Sequence, residues 1–283
     1  MLGAIAGDVI GSKYEFKRTK QFDFELIHAA STYTDDTVLT VATADEILNP
    51  SNGFGVRYAQ YAKKHPDRGY GGMFKQWYRR GGAAPAYNSF GNGSGMRVSP
   101  VGWAFKTEAE VLDWAKKSAE VTHNHPEGIK GAQAIAWCIW AARQAGTSMD
   151  DIQNGVTEKF GYDLSKTPNE IRPTYAFDAT CQGSVPEAII CFLNSHGWEE
   201  AVRNAVSLGG DADTIGCMTG SIAEAKWGVP EEIRLAVWKK LPPHLAETVR
   251  AFVKKYVDEE LAASLPEPSP EDLKSLMGSI FST

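Results

Sequence analysis

The sequence predicts an all-α protein, on two observations. Apolar residues recur at three- and four-residue spacing, the period of an amphipathic helix, along much of the chain. Alternation of apolar and polar residues, the pattern of a half-buried strand, is nearly absent. The predicted helices are rich in Ala, Leu, Ile and Trp and cover residues 36–48, 108–121, 129–144, 184–195, 199–208, 212–227 and 231–240. We therefore expect a compact, orthogonal multi-helix domain.

Individual elements carry further local signals. Ser184 precedes an apolar run and has Glu187 three residues later, which predicts a capping box at the start of a helix. Pro230, followed by two glutamates, is typical of a first helical turn. The best strand candidate is Val98 to Phe105, and Pro100 and Gly102 weaken it.

The C-terminal end departs from this pattern. Pro266, Pro268 and Pro270 interrupt the helical periodicity, and Ser269-Pro270-Glu271-Asp272 then predicts a capped start to a last short helix. No internal repeat and no low-complexity linker divides the rest of the chain. We expect one helical domain over residues 1–265 and a short helical appendage over residues 266–283.

Composition excludes several classes of protein. The 283 residues are 43% hydrophobic and 23% charged, which suits a globular chain and not a disordered one. Asp and Glu number 35 against 29 Lys and Arg, a net charge of −6 that argues against a general nucleic-acid binder. No apolar run is long enough to cross a membrane, and Asp8 interrupts the first apolar stretch, so we expect no signal peptide and a cytoplasmic location. The four cysteines are widely spaced, which favours buried thiols over a zinc site or disulfides.

Two glycine-rich stretches interrupt the predicted helices. They are Arg68-Gly69-Tyr70-Gly71-Gly72 and Ser89-Phe90-Gly91-Asn92-Gly93-Ser94-Gly95-Met96-Arg97. Ordering a glycine costs more backbone conformational entropy than ordering any other residue. A run of glycines therefore adds nothing to the stability of a helical protein. Such loops are common where the backbone must approach a ligand closely.

Thr34-Asp35-Asp36-Thr37 stands just before a predicted helix. Two carboxylates flanked by hydroxyls offer only hard oxygen ligands, which suit Mg²⁺ or Mn²⁺ and not zinc. The same residues also suit a helix N-cap, where a side-chain oxygen accepts backbone N–H bonds. The motif alone leaves both interpretations open.

A second motif of this kind is Gly209-Gly210-Asp211-Ala212-Asp213-Thr214, again at a predicted helix start. Its alternating carboxylates can reach one point where the chain turns into the helix, and a loop with a cap is the other interpretation. Buried carboxylates are costly unless a cation or a proton compensates them. If the two helix starts pack side by side, four carboxylates converge, and two divalent ions would neutralise them.

Two more motifs leave their role open. The first is Gly7-Asp8-Val9-Ile10-Gly11, four residues before Glu15. It predicts either an N-terminal helix with small residues at a tight helix crossing or a functional segment. Thr122-His123-Asn124-His125-Pro126 reads as a polar loop ahead of a helix, or as a binding segment.

Taken together, these motifs resemble the ADP-ribosylglycohydrolase family, from Gly3 to about Gly228. The resemblance implies an all-α fold with a dinuclear Mg²⁺ or Mn²⁺ site at the base of a cleft, and an ADP-ribosylated protein or small ADP-ribose conjugate as partner. By motif position it implies the metal ligands Thr34, Asp35, Asp36, Asp211, Asp213 and Thr214, with Asp36 and Asp213 essential to catalysis and Glu15 at the metal edge near the scissile bond.

The resemblance also implies where ADP-ribose would lie. Gly69, Gly71 and Gly72 would face the proximal ribose, and Ser89, Gly91, Asn92 and Gly93 the pyrophosphate. Phe90 would pack against adenine, and His123 would contact a phosphate or ribose oxygen. Met96 and Arg97 belong to the same glycine motif and are included in the implied substrate site.

The residues agree with the implied chemistry. Glycine-rich backbone presents N–H groups to a pyrophosphate without cationic side chains, and the ribose diol is a bidentate ligand for hard ions. Cleavage at C1″ builds positive charge on the ribose, which nearby carboxylates stabilise. Glu15 is the candidate for one of the proton transfers.

Several alternatives stay open at this point. A non-catalytic ADP-ribose-binding protein and a dinuclear phosphohydrolase acting on the pyrophosphate would use the same motifs. Residues 17–33 and 160–180, on the expected acceptor side, match no particular branch of the family. The scissile linkage therefore stays open among ADP-ribosyl-arginine, ADP-ribosyl-serine and a small conjugate.

Overall fold

Helices account for the regular structure of this protein, as the sequence predicts. The computed structural model describes residues 1–267, and within them the only β-type pairing is an isolated bridge between Gly91 and Thr180. The helices of this range are α1 (Leu2–Gly11), α2 (Asp35–Leu48), α3 (Gly53–Lys64), α4 (Gly72–Arg79), α5 (Gly93–Met96), α6 (Ser99–Ala104), α7 (Glu108–Glu120), α8 (Pro126–Ala142), α9 (Met149–Phe160), α10 (Pro168–Ile171), α11 (Cys181–Leu193), α12 (Trp198–Ser207), α13 (Ala212–Trp227), α14 (Glu231–Trp238), α15 (Pro243–Tyr256) and α16 (Glu259–Ser264).

Two sequence predictions about individual elements are wrong. The strand candidate 98–105 instead contains α6 (Ser99–Ala104), because Pro100 occupies the first turn of a helix, where its missing N–H costs nothing. Ser184 does not cap a helix: α11 begins earlier, and the Thr180 side chain accepts the backbone N–H of Gly183 at 3.1 Å. The Ser184 hydroxyl instead donates to the Thr180 carbonyl from inside the helix.

The other predicted helices match observed ones to within a few residues at their ends. Pro230 stands at the start of α14, as predicted. The predicted last helix after Ser269 lies outside the described residues. Helices α3, α4, α9 and α15 were not predicted, because their apolar residues cover only one narrow face and many of their other residues are polar.

Glycines bring α1 and α13 into backbone contact. Gly3 lies against Gly220 and Gly7 against Gly216, so the two helices run antiparallel. A Cβ atom on Gly7 would lie 2.0 Å from the Gly216 carbonyl oxygen, a distance that no side chain can adopt. The tight crossing that the small residues suggest is therefore present.

The register of this crossing positions the functional motifs. Gly11, at the end of α1, packs against Ala212 at the start of α13. At the other end of α13, Glu224 accepts hydrogen bonds from the backbone N–H groups of Leu2 (3.1 Å) and Gly3 (2.8 Å). The first turn of α13 is thereby held beside the last turn of α1, at the point where the chain turns toward Glu15.

The core around this pair is apolar, and all four cysteines are buried within it as free thiols, as predicted. Among residues 1–267, no helix combines the length and the apolar character that a membrane span requires.

Candidate active site

Asp8 lies at the centre of the site, although the sequence analysis did not select it as a site residue. It projects from α1 and is fully buried. Its carboxylate accepts hydrogen bonds from the backbone N–H groups of Thr34 (2.9 Å) and Thr37 (3.0 Å), and from both threonine hydroxyls. Asp8 therefore fixes the start of α2 against α1.

The first acidic motif caps α2 and also places a carboxylate where it could bind a cation. Thr34 is the N-cap of α2, and its side chain accepts the Asp36 backbone N–H at 3.3 Å. Asp36 is 2% exposed, and its Oδ1 has no hydrogen-bond partner among the described residues. Such a buried, unpaired carboxylate oxygen fits a metal ligand.

The second acidic motif starts α13. Asp211 is the N-cap residue, and its carboxylate accepts a hydrogen bond of 2.8 Å from the Asn92 side-chain amide. Gly209 has φ +68°, a conformation that favours glycine and lets the chain turn sharply ahead of Asp211. The Thr214 hydroxyl points to Asp36 Oδ2 at 3.3 Å, so the two motifs touch.

The two motifs and α1 together form two carboxylate triads. Asp8, Asp36 and Asp213 each offer an oxygen within 4.8 Å of the others, and so do Glu15, Asp211 and Asp213. Asp213 belongs to both triads. The arrangement could hold two neighbouring cations, with Asp213 between them.

Of the other predicted metal ligands, Thr34 and Thr214 border the triads through their hydrogen bonds to Asp36. Asp35 belongs to neither triad. It lines the cleft above them, and its Oδ1 faces Gly69.

The carboxylates of the two triads are buried close to one another, which makes their charged forms unfavourable without compensating positive charge. Burial raises the pKa of Asp8 to about 6, against the effect of its four hydrogen bonds. Burial, then the charges of Asp211 and Asp8, raises the pKa of Glu15 to about 7. Burial and neighbouring carboxylates also hold the pKa values of Asp36 and Asp213 well above the usual range.

Within residues 1–267, no Lys or Arg forms an ion pair with a member of either triad. Protons or cations must therefore balance the charge. An all-oxygen donor set with an unpaired buried oxygen fits Mg²⁺ or Mn²⁺.

A cleft of about 730 Å³ opens above the triads. Its walls include every predicted substrate-site residue: Gly69, Gly71, Gly72, Ser89, Phe90, Gly91, Asn92, Gly93, Met96, Arg97 and His123. Glu15, Asp35, Asp36, Asp211, Asp213 and Thr214 line it as well. The motifs that are far apart in sequence therefore meet around one cavity.

The glycine loop of the cleft is held by a second loop. The Asn92 backbone N–H donates to the Ala179 carbonyl at 2.8 Å, and the Cys181 N–H donates to the Phe90 carbonyl at 2.8 Å. Phe90, between these two bonds, is 44% exposed and lines the cleft.

Sequence reasoning missed several wall residues. Met73, in the first turn of α4, and the loop residues Tyr87 and Phe177 line the cleft, yet exposed or isolated apolar side chains of this kind carry no periodic signal. Asp8 could have been found, because a carboxylate among the small apolar residues of the N-terminal stretch cannot be buried without partners.

Known proteins share both the sequence pattern and the fold. The family model described as ADP-ribosylglycohydrolase matches residues 1–269. Human ADP-ribosylhydrolase ARH3 is 30% identical, over 82% of this chain and 85% of its own length. ADP-ribosylarginine hydrolase Tri1 of Pseudomonas putida is 24% identical, over 87% of this chain and 76% of its own length.

A solved structure, described as an ADP-ribosylglycohydrolase-related protein complex, has the same all-α fold. Its TM-score is 0.65 at 20% identity, and the match covers 84% of this chain and 96% of that one. Because the family model matches nearly the whole chain, the chain belongs to the ADP-ribosylglycohydrolase family.

Proposed function

We propose that this protein is a metal-dependent hydrolase that cleaves the C1″ glycosidic bond of ADP-ribosylated side chains, or of small ADP-ribose conjugates, and releases ADP-ribose. The observation that carries the proposal is the pair of buried carboxylate triads, joined at Asp213, at the base of a glycine-lined cleft. Family membership, and relatives named as hydrolases of ADP-ribosyl groups, support it.

Two Mg²⁺ or Mn²⁺ ions are the proposed cofactors. Asp8, Asp36 and Asp213 would hold one ion, and Glu15, Asp211 and Asp213 would hold the other. Thr34, Asp35 and Thr214 complete the proposed set of ligands at its border. When bound, the ions would fix the ribose diol and polarise its hydroxyls.

The walls of the cleft suit the rest of ADP-ribose. The backbone N–H group of Gly93, in the first turn of α5, can approach a pyrophosphate, because no side chain intervenes there. The N–H groups of Gly91 and Asn92 already donate to the Ser89 hydroxyl and the Ala179 carbonyl. The exposed Phe90 ring offers a surface on which adenine can stack. An acidic protein can bind a dianion in this way, since the donors are neutral backbone groups.

Glu15 is the proposed proton carrier. It is half-buried, it lines the cleft, and it lies beside Asp211 and Asp213. Without cations, burial and the charges of Asp211 and Asp8 raise its pKa to about 7, and bound cations would lower it. Glu15 would then act as a carboxylate base at the metal edge of the cleft. Positive charge that develops on the ribose would face the carboxylates below it.

The test is product release from defined substrates. The purified protein is incubated with arginine-linked and serine-linked ADP-ribosylated peptides, with Mg²⁺ or with EDTA, and nucleotides are separated by chromatography. We expect intact ADP-ribose from at least one linkage with Mg²⁺, and none with EDTA.

Other products would identify the alternatives. AMP would indicate a phosphohydrolase acting on the pyrophosphate. Tight calorimetric binding of ADP-ribose with every conjugate left uncut would indicate a non-catalytic binding protein. Release at the same rate in EDTA would contradict the role of the metal ions.

A further inference from the structure

We infer that Arg97 and Thr122 are positioning residues that hold His123 as a neutral imidazole protonated on Nε2, so that it donates a hydrogen bond into the cleft. The inference follows from one chain of hydrogen bonds behind the cleft wall. Arg97 Nη2 lies 2.8 Å from Thr122 Oγ1, which lies 2.7 Å from His123 Nδ1.

The direction of each bond follows from the chemistry of the groups. A guanidinium group has donors and no acceptor, so Arg97 must donate to the Thr122 oxygen. The Thr122 hydroxyl keeps one proton to give. Among the described residues, its hydrogen bonds of good distance and angle are those to Arg97 and to His123 Nδ1, and the Tyr87 hydroxyl lies nearby without such a bond. Nδ1 must then be the acceptor, which leaves the imidazole proton on Nε2.

The opposite tautomer would leave a buried proton without a partner. If Nδ1 carried the proton, Thr122 Oγ1 would accept twice, and its own hydroxyl proton would have only the Tyr87 hydroxyl nearby, with no hydrogen bond of good geometry to it. Thr122 is 0% exposed, so water could not take that proton. An unpaired buried donor is costly, which favours the arrangement with Thr122 donating.

His123 also stays neutral in this setting. It is 5% exposed, and both burial and the nearby Arg97 charge hold its pKa well below the usual value. Arg97 is itself fully buried, with its guanidinium 4.2 Å from the centre of the Tyr58 ring. Although Arg97 was predicted within the substrate site, its bonds to Ser118 and Thr122 indicate that it acts through His123.

The proton on Nε2 faces the glycine loop. Nε2 lies 3.2 Å from the position of a Cβ atom on Gly93 and 3.7 Å from that on Gly91. A neutral donor at this point selects a ligand oxygen that accepts, such as a phosphate or hydroxyl oxygen, and disfavours a ligand N–H. That the oxygen belongs to ADP-ribose rests on the proposed function.

The tautomer is read by ¹⁵N NMR of histidine-labelled, ligand-free protein, with the His123 signals identified by their loss in His123→Gln. The test variant is Thr122→Val, which removes the hydroxyl at constant shape, and Thr122→Ser is the matched control that keeps it. We expect wild type and Thr122→Ser to show a proton on Nε2 alone, and Thr122→Val to shift population toward the Nδ1-protonated form.

Binding supplies the second readout. We expect ADP-ribose to bind Thr122→Val about tenfold more weakly than wild type, the effect of losing one well-placed hydrogen bond. Affinity in Thr122→Ser should stay within about twofold of wild type, since the hydroxyl remains.

Two results would overturn the inference: wild-type His123 protonated on Nδ1, or a folded Thr122→Val variant with unchanged tautomer and unchanged affinity. If Thr122→Val does not fold, as judged by circular dichroism, the NMR spectra of wild type and Thr122→Ser test the inference, since both must show the His123 proton on Nε2. A wild-type protein that binds no ADP-ribose would contradict the proposed function, whereas the ligand-free spectra test the inference by themselves.

Discussion

Asp36 combines nearly complete burial with an unpaired carboxylate oxygen, so its charged form is costly unless a cation or a proton compensates it. We predict that Asp36→Ala, and equally Asp213→Ala, lowers turnover by about a thousandfold or more, since each removes a carboxylate from a triad. Calorimetric titration with Mn²⁺ should show weaker binding.

The matched control is Asp150→Ala, which removes an exposed carboxylate from α9. We expect it to keep wild-type turnover. Because a buried carboxylate repels its neighbours, Asp36→Ala in EDTA should unfold at the same temperature as wild type or above it. Full activity in Asp36→Ala or Asp213→Ala would remove the metal triads from the mechanism.

Glu15 differs from Asp36 because it is half-buried and reaches the cleft from the loop after α1. We predict that Glu15→Gln lowers turnover by about a hundredfold to ten-thousandfold, the usual contribution of a general acid or base. ADP-ribose affinity should fall much less. The exposed Glu120→Gln serves as control, and unchanged turnover in Glu15→Gln would exclude this residue as the proton carrier.

For single residues, the sequence predicts which residue types belong to the site better than it predicts the contacts those residues make. The sequence indicates the carboxylates of the two acidic motifs because, with their neighbouring hydroxyls, they offer only hard oxygen ligands, and because both motifs begin predicted helices. Asp8 was missed because a single carboxylate in a helix carries no pattern. Its place among small apolar residues signals a buried carboxylate that needs partners, and the structure identifies Thr34 and Thr37 as those partners.

At the scale of elements, the crossing of α1 and α13 sets the geometry of both triads. Asp8 follows Gly7 directly, and Asp213 stands three residues before Gly216. Since Gly7 and Gly216 touch through their backbones, any separation of the helices also separates the two carboxylates.

We predict that Gly7→Ala destabilises the protein by about 3 kcal/mol or more, because overpacking forces two backbones apart. Urea unfolding measures the change, and Mn²⁺ titration should show weaker binding. Gly197→Ala is the matched control: a Cβ atom there meets nothing within 4 Å. We expect Gly197→Ala to lower the free energy of unfolding by less than about 1 kcal/mol, because Gly197 is the N-cap residue of α12. Equal stabilities of the two variants would contradict the role of the crossing.

The elements show why helix prediction succeeded and some details failed. Periodicity identified the buried helices, whose apolar faces are wide. The cap predicted at Ser184 failed because Thr180 offers an equivalent hydroxyl four residues earlier. The residues of α6 were read as a strand candidate because a six-residue segment is too short to show a period.

At the scale of the whole molecule, the site exists only where α1, α2 and α13 meet. The spacing of the motifs along the chain could not show this meeting, because it depends on how the helices pack. The glycines of α1 predicted a close crossing but did not name α13 as the partner.

We predict that the metal-free protein loses stability as pH rises from about 4 to 7. The pKa of Asp8 is raised to about 6 in the folded protein, so the folded state binds more protons than the unfolded state in this range. Stability is therefore highest when Asp8 is protonated, and falls as it ionises.

Thermal unfolding in EDTA and in Mg²⁺ across this range measures the effect. We expect Mg²⁺ to raise the unfolding temperature more at pH 7.5 than at pH 5, because cations bind the ionised carboxylates. A metal-free protein that becomes more stable toward neutral pH would contradict this picture of the triads.

The most direct measurement is anomalous X-ray scattering from crystals grown with Mn²⁺. We predict two peaks about 3.5–4 Å apart, one among Asp8, Asp36 and Asp213 and the other among Glu15, Asp211 and Asp213. Both peaks should disappear in Asp213→Ala. A map without manganese at these carboxylates would contradict the claim that distant segments of this chain join to hold two cations.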